Sequence, residues 1–193
     1  DTLSNSDGEN PVDYEAMEKN PAEFLVGACN ALTGEPVYFD KSYLRKDHYD
    51  IFKASCALPV FCKPYMIGDM PCLDGGICDP IPVDRALDGG CDKVVLILTR
   101  PISQPREAKK DRVIADLLSR SYPKAGACMR RRYKTYNDGV ARAQALQAQG
   151  KVLIIAPDDI CGLSTLTKDR EKLQRMYDKG VRDAQAIPAF LNT

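Results

Sequence analysis

The sequence predicts an α/β protein, a three-layer sandwich with a mostly parallel central sheet. Two nearly continuous apolar runs, residues 93–99 and 152–156, are rich in β-branched side chains and are bounded by polar or turn residues. Such runs are typical of strands that are buried on both faces. Stretches with helical periodicity lie between them and after the second run. Because strands that alternate with helices form parallel sheets covered by helices, these observations favour this fold class.

The first part of the chain is predicted to form a strand, a tight reversal and a second strand. Residues 24–30 are apolar and compatible with β-structure, Thr33 and Gly34 supply a turn, and residues 36–39 form a second short run. Residues 47–58 then carry apolar side chains at helical spacing. Pro59 removes a backbone donor and ends this short helix.

A β-hairpin is predicted next, and it ends on an acidic residue. Tyr65, Met66 and Ile67 form its first strand, and residues 68–71 supply turn residues. The return strand runs through Cys72 and Leu73 to Asp74. The sequence therefore predicts that Asp74 closes a strand.

Three helices are predicted in the second half of the chain. The first covers residues 107–119, with Val113, Ile114, Leu117 and Leu118 on one stripe, and a longer one lies around residues 129–149. The last, about residues 168–186, has Leu173, Met176, Tyr177, Val181 and Ala184 on one face. Pro188 lies beyond its end.

Length and composition exclude several classes of protein. A chain of 193 residues with 44% hydrophobic residues can form one domain with a buried core. Its 27 basic and 27 acidic residues give a formal net charge of zero, so no global field attracts nucleic acid or an anionic membrane. The longest wholly apolar runs are far shorter than the roughly 20 residues that span a bilayer. We therefore expect no transmembrane segment and no nucleic acid partner.

The eight cysteines are predicted to be mostly unpaired thiols. No pair has the spacing of a zinc knuckle, and His48, the single histidine, has no neighbouring cysteine. Several cysteines have core-like neighbours, as Cys56 does in Ala54-Ser55-Cys56-Ala57-Leu58, where a thiol behaves as a small apolar residue. We accordingly expect a reducing cytoplasmic compartment, no metal and no cofactor.

Asp74 is the residue that most clearly indicates chemistry. Gly75 and Gly76 follow it and allow close backbone approach and positive φ, so its carboxylate can project from the strand end into a crevice. Open α/β sheets place their ligands at such strand ends. An isolated Asp-Gly-Gly is more often only a turn. The residues around it decide between the two interpretations.

Several segments together resemble the patatin-like phospholipase family, in particular its bacterial cytoplasmic branch. They are Ser-x-Ala-x-Pro-x-Phe at residues 55–61, Asp-Gly-Gly at residues 74–76 and the downstream Pro80-Ile81-Pro82, with further similarity at residues 13–16, 24–30 and 33–39. The resemblance covers nearly the whole chain. It implies a Ser-Asp dyad that cleaves acyl esters of lipids, with Asp74 as proton acceptor in the motif Asp74, Gly75 and Gly76.

The chain departs from that family in one respect. The family's nucleophilic serine lies in Gly-x-Ser-x-Gly, and neither this pentapeptide nor a glycine-rich oxyanion loop occurs here. We expect both in a preceding segment of the same protein, so that residues 1–193 are the C-terminal part of a single patatin-like acyl hydrolase domain. The implied partners are this segment and a lipid or other acyl-ester substrate, and peripheral contact with a membrane is compatible with them.

Two other functions remain open at this point. The chain could be a non-catalytic α/β module in which Asp74 contacts a ligand or serves regulation, or a thiol enzyme that uses one of the cysteines. Against the second, no cysteine has an adjacent histidine or a helix N-terminus that would lower its pKa. The upstream sequence distinguishes the first alternative from a hydrolase.

The remaining polar candidates are predicted to be structural. His48 is expected at the surface or at the start of a helix, and Ser164 before the last helix, with Thr167 available as its cap. The basic cluster of Arg130, Arg131, Arg132 and Lys134 could steer a headgroup, but a solvated helix face is the preferred interpretation. Asn30 is assigned only a supporting hydrogen bond.

Overall fold

The structure is a computed structural model that describes residues 4–164 and 167–192. The chain divides into two compact units. The first comprises the residues up to Pro80 together with Glu107–Thr135, and the second comprises Ile81–Arg106 together with the residues from Tyr136 onward. Membership of these residues in a single acyl hydrolase domain remains a prediction.

The described residues contain α-helices, strands and short 3-10 turns. The helices are α1 (Tyr14–Lys19), α2 (Asp50–Ser55), α3 (Val83–Asp88), α4 (Ala108–Ser119), α5 (Pro123–Ala148), α6 (Arg170–Asp183) and α7 (Ile187–Leu191). The strands are β1 (Val26–Asn30), β2 (Pro36–Phe39), β3 (Tyr65–Ile67), β4 (Met70–Asp74), β5 (Val94–Ile97) and β6 (Val152–Ile155). The 3-10 turns are Lys41–Tyr43, Gly75–Ile77 and Ala184–Ala186.

The first unit contains a four-stranded sheet in the order β2-β1-β4-β3. Every neighbouring pair in it is antiparallel, and the pairing of β1 with β4 sets Ala28 opposite Asp74. The hairpin of β3 and β4 closes with a two-residue loop that begins at Gly68, whose φ of 57° suits a glycine. This sheet therefore puts the end of β4 beside the middle of β1.

Two apolar clusters stabilise this unit. One joins α2 to the sheet through Val26, Ala28, Phe39, Leu44, Tyr49, Ile51, Ala54 and Cys72. The other joins the sheet to α4 and the start of α5 through Cys29, Ala31, Ala57, Leu73, Ile77, Ala115, Leu118, Ala125 and Met129. The end of β4 lies between the two clusters, because Cys72 belongs to the first and Leu73 to the second.

The second unit is built on a parallel pair of strands. β5 pairs with β6 in the register Val94 opposite Val152, and the unit's core includes Tyr136, Val140, Ala143 and Leu146 from the second half of α5. Ile97 at the end of β5 is 67% exposed. The two strands are thus only partly covered in this structure.

The predicted fold class is wrong. In the described residues the larger sheet is wholly antiparallel and the parallel sheet has only two strands, so there is no three-layer sandwich around a mostly parallel sheet. The prediction took two apolar runs as strands buried on both faces. Their residues are largely half-buried, because apolar β-branched side chains favour a strand whether or not both faces are covered.

Most local predictions are confirmed, with shifted boundaries. The reversal of β1 and β2, the hairpin, α2, α4 and α5 occur where the sequence predicted them, although Met70 and Pro71 belong to β4 and not to the turn. The stripe predicted on α4 is partly wrong, since Val113 is exposed and Asp111, Ala115 and Leu118 are buried. α6 has no buried residue, and its N-cap is Asp169, not Thr167.

No helix in the described ranges is long and apolar enough to cross a membrane. The part of the chain that the structure describes also contains no cluster of three or more histidine, cysteine or acidic side chains that could hold a metal ion.

Candidate active site

Asp74 is the last residue of β4, as the sequence predicted. Its backbone lies opposite Ala28 of β1, and its N–H donates to the carbonyl oxygen of Ala57 at 3.0 Å. Ala57 belongs to the Ser-x-Ala-x-Pro-x-Phe run that follows α2. The structure thus brings together two segments that the sequence separates by more than ten residues.

Of the two glycines after Asp74, Gly75 is required for close backbone approach, and neither is required for positive φ. A Cβ on Gly75 would lie 2.5 Å from the carbonyl oxygen of Gly27 in β1, a distance that real Cβ atoms do not show. Neither Gly75 nor Gly76 has positive φ. The expectation of positive φ is therefore wrong, while the expectation of close backbone approach is confirmed.

The Asp74 carboxylate is half-buried and partly fixed. Its Oδ1 accepts a hydrogen bond of 2.8 Å from the N–H of Gly76, which makes Asp74 the N-cap of the Gly75–Ile77 turn. Among the described residues, no donor is hydrogen-bonded to Oδ2. One oxygen is thus held by the backbone and the other remains able to accept a proton or a hydrogen bond.

Asp74 faces a crevice of about 70 Å³. Apolar side chains from four segments line it: Leu58, Pro59 and Phe61 after α2, Ile77 after β4, Ile114 on α4 and Met129 on α5. Arg132 contributes a second charged group. An apolar lining with a few polar or charged groups is the composition typical of a small-molecule site.

The rim of this crevice exposes apolar side chains. Phe61 is 79% exposed, and Val60 before it has a φ of 73°, which is rare for a β-branched residue. Strained backbone is concentrated at functional sites more often than elsewhere. The loop after α2 is therefore part of the candidate site.

Arg132 is the residue of this site that the sequence analysis assigned, with the rest of the basic cluster, to a solvated helix face. Its Nε–H donates to the carbonyl oxygen of Gly76 at 2.8 Å, and Nη1 lies 3.6 Å from Oδ1 of Asp111 on α4. The signal was present in the periodicity of α5: Ala125, Met129, Arg132 and Tyr136 recur at three- and four-residue spacing. Arg132 thus lies on the same stripe of the helix as buried residues.

The rest of the basic cluster is solvated, as predicted. Arg130, Arg131 and Lys134 are exposed, and Arg130 pairs with Asp116 at 2.6 Å on the surface. The interpretation of the cluster as a solvated face is therefore correct for these three residues and wrong for Arg132.

The other polar candidates have structural positions. Asn30 ends β1, and its Oδ1 accepts from the N–H groups of Leu32 and Thr33, so it caps the reversal into β2. His48 is exposed and precedes α2, as predicted. Ser164 and Thr167 bond each other, with the Ser164 N–H donating to Oγ1 of Thr167 at 2.7 Å.

Six of the eight cysteines are free, which confirms the prediction that most are unpaired. Cys29 and Cys78 form a disulfide that the sequence did not predict. Cys29 lies opposite Leu73 in the sheet, and Cys78 is the C-cap of the Gly75–Ile77 turn. The disulfide therefore joins the segment just after Asp74 to β1.

Two free thiols have a raised pKa. Burial raises the pKa of the Cys72 thiol. Burial, followed by hydrogen bonding to Asp159 and the charge of that residue, raises the pKa of Cys161. A raised pKa reduces the thiolate fraction at neutral pH, so neither cysteine is prepared for nucleophilic attack.

Comparison with protein families gives one match. Residues 122–191 match the model of a domain of unknown function (DUF6363). This region begins just before α5 and ends with α7, so it includes Arg132 but not Asp74. No curated protein matches the chain.

Proposed function

We propose that this chain supplies the catalytic aspartate, Asp74, of a patatin-like serine acyl hydrolase. The observation that carries the proposal is the position of Asp74: it ends a strand, one carboxylate oxygen accepts from Gly76, and the residue lines an apolar crevice together with Leu58, Pro59 and Phe61. Residues 55–61 and 74–76, which meet at this crevice, are two of the segments on which the resemblance to the family rests.

The proposed reaction is acyl transfer to a serine, followed by hydrolysis. A serine in a preceding segment of the same polypeptide attacks the acyl carbonyl, and Oδ2 of Asp74 accepts its proton. Backbone donors of that segment stabilise the oxyanion. The proton then passes to the leaving alcohol, and water, deprotonated by the same carboxylate, releases the fatty acid. Asp74 performs directly the role that histidine has in a triad.

The proposed substrate is an acyl ester of a lipid. The apolar lining of the crevice and the exposed Phe61 at its rim suit an acyl chain that enters from a lipid aggregate or a membrane surface. We also propose a cytoplasmic location, because the resemblance is to a cytoplasmic branch of the family and six of the eight cysteines are free. The alternative is a non-catalytic module, in which the same crevice binds a ligand and the protein has no nucleophilic serine.

The test is ester hydrolysis by a longer polypeptide that includes the upstream sequence. We expect hydrolysis of p-nitrophenyl esters, and a fall in kcat of about 10³- to 10⁴-fold for Asp74→Asn, by comparison with loss of a triad partner in serine proteases. Asparagine retains Oδ1 as an acceptor for the Gly76 N–H, so the fold should remain. Asp69→Asn, in the exposed loop of the same hairpin, is the matched control and should keep full activity.

A fluorophosphonate probe reports the nucleophile separately. We expect it to label the longer polypeptide and not residues 1–193 alone, since the family's serine motif does not occur in them. Labelling of residues 1–193 would place a nucleophile inside this chain and overturn the assignment. An unchanged rate for Asp74→Asn would refute the dyad, and binding of an acyl chain without hydrolysis by the longer polypeptide would favour the non-catalytic module.

A further inference from the structure

Gly76 connects two charged side chains of the crevice through its own two peptide groups. Its N–H donates to Oδ1 of Asp74 at 2.8 Å, and its carbonyl oxygen accepts from Nε of Arg132 at 2.8 Å. A Cβ on Gly76 would lie 3.0 Å from Oδ1 of Asp74 and 3.8 Å from Nη2 of Arg132. The backbone at Gly76 thus lies between the carboxylate and the guanidinium.

Arg132 is itself held in place. Asp111 on α4 is 8% exposed and lies 3.6 Å from Nη1 of Arg132, whose side chain is 20% exposed. A carboxylate that is this deeply buried requires a charged or hydrogen-bonding partner. Asp111 and the carbonyl oxygen of Gly76 therefore engage two different nitrogens of one planar guanidinium, which fixes its orientation.

We infer that Arg132 is a positioning residue for Asp74, acting through the peptide groups of Gly76. This inference rests on the proposed function. Arg132 holds the Gly76 carbonyl, which belongs to the peptide group after Gly76, and so restricts the backbone rotation of Gly76. The preceding peptide group, whose N–H donates to Oδ1 of Asp74, is thereby kept in place, and Oδ2 stays available as the proton acceptor. Lysine cannot replace it, because a single ammonium does not reproduce the fixed fork that spans Asp111 and Gly76.

A purely structural role for Arg132 would be to join α5 to α4. The chain offers a matched control for that role, since Arg130 on the same helix also pairs with an aspartate of α4, Asp116, at 2.6 Å. Arg130 is exposed and does not line the crevice. Arg130→Ala therefore removes an ion pair between the same two helices and leaves the bond to Gly76 intact.

The first measurement uses residues 1–193 and no activity. Amide hydrogen exchange at Gly76 should be at least about tenfold faster in Arg132→Ala and in Arg132→Lys than in Arg130→Ala, since the backbone that carries this N–H loses its fixed position relative to Asp74. Exchange in β1 and in the second half of α5 is the internal reference. Unchanged protection of Gly76, or faster exchange throughout the chain, would overturn the positioning role.

The second measurement uses the longer polypeptide with the upstream sequence. For a short acyl ester we expect Arg132→Ala and Arg132→Lys to lower kcat about 10- to 100-fold, with KM changed less than about twofold, because a misplaced general base costs rate and not affinity. Arg130→Ala should retain the rate of the unsubstituted protein. A change in KM alone, or an unchanged kcat, would refute the inference.

The two proposals fail in different ways. If Asp74→Asn keeps full activity, the proposed function fails and Arg132 has no catalytic base to position. If Asp74→Asn is inactive while Arg132→Ala keeps its kcat, the proposed function stands and the inference about Arg132 fails.

Discussion

Gly75 is the residue on which the position of Asp74 depends most directly. Its backbone passes so close to β1 that a Cβ would lie 2.5 Å from the carbonyl oxygen and 2.7 Å from the carbonyl carbon of Gly27. Backbone atoms in the middle of a paired strand cannot move aside as a flexible side chain can. The packing of these two glycines against each other thus brings the segment after Asp74 against the sheet.

Gly75→Ala should lower the free energy of unfolding by at least about 2 kcal/mol, because the added methyl group overpacks rigid backbone. The matched control is Gly27→Ala. Its Cβ would meet only the ring of Tyr38, at 3.4 Å, and we expect a change within about 1 kcal/mol. Urea unfolding of the two variants checks this. Equal stability of both variants would contradict the close packing at Gly75.

The sequence correctly predicted that Asp74 ends a strand, and it did not predict that Arg132 is half-buried. A motif of adjacent residues places a carboxylate at a strand end, and β4 indeed ends there. A run of three arginines suggests a solvated face, yet consecutive helical residues point in different directions. Arg132 shares its stripe with Met129 and Tyr136 and therefore reaches Gly76. Its partner could not be predicted, since contact between residues 76 and 132 depends on the fold.

Polar side chains join α2 to β3 in the first unit. The hydroxyl of Tyr65 donates to Oδ1 of Asp50 at 2.7 Å, and Nζ of Lys53 lies 3.0 Å from the same oxygen. The hydrogen bond from Tyr65, followed by that from Lys53, lowers the pKa of Asp50. The hydrogen bond to Asp50 likewise raises the pKa of Tyr65.

These directions predict how stability depends on pH. Because the folded pKa of Asp50 is lowered, its contribution is present above the unfolded value of about 3.9 and is lost as the pH falls through the folded pKa. The raised pKa of Tyr65 gives a contribution that is lost as the pH rises above about 10. The Asp50 side chain is partly exposed, so the effect should stay below about 1 kcal/mol.

Tyr65→Phe should therefore destabilise the protein slightly at pH 7, and its effect should not be larger at pH 3, because protonation of Asp50 as the pH falls through its lowered pKa removes the charge that accepts the hydrogen bond. Tyr43→Phe is the control, since among the described residues no hydrogen bond involves that hydroxyl. Urea midpoints at both pH values measure the difference. An effect of Tyr65→Phe that is larger at pH 3 than at pH 7 would contradict the assigned pKa directions.

Element positions were predictable because periodicity and turn residues are local. The hairpin of β3 and β4 shows this, as Gly68 supplies the φ that its two-residue loop needs. The pairing of β1 with β4 is not local, since more than 40 residues separate their partners Ala28 and Asp74. No pattern in the sequence specified that neighbour, and the direction of the sheet was consequently mispredicted.

At the scale of the whole molecule, the disulfide between Cys29 and Cys78 links two residues that are 49 positions apart in the sequence. The closed loop includes α2, both strands of the hairpin and Asp74. The prediction that most cysteines are unpaired is confirmed, but its reason is wrong for Cys56, whose neighbours are core-like and which is exposed, while the buried Cys29 is bonded. The neighbours of a cysteine could not reveal which two approach each other, because that depends on the position of β1 relative to the turn after β4.

Reduction of this disulfide should lower the free energy of unfolding by about 4 kcal/mol, which is the chain entropy that a loop of this length releases in the unfolded state. Urea unfolding with and without a phosphine reductant measures it, and the double variant Cys29→Ala, Cys78→Ala should not respond to the reductant.

Alkylation of the denatured protein followed by mass spectrometry counts the thiols. We expect six labels without reductant and eight after reduction. Eight labels without reductant would show that the pair is not bonded in solution, and the segment after Asp74 would then be held by Arg132 and the sheet alone.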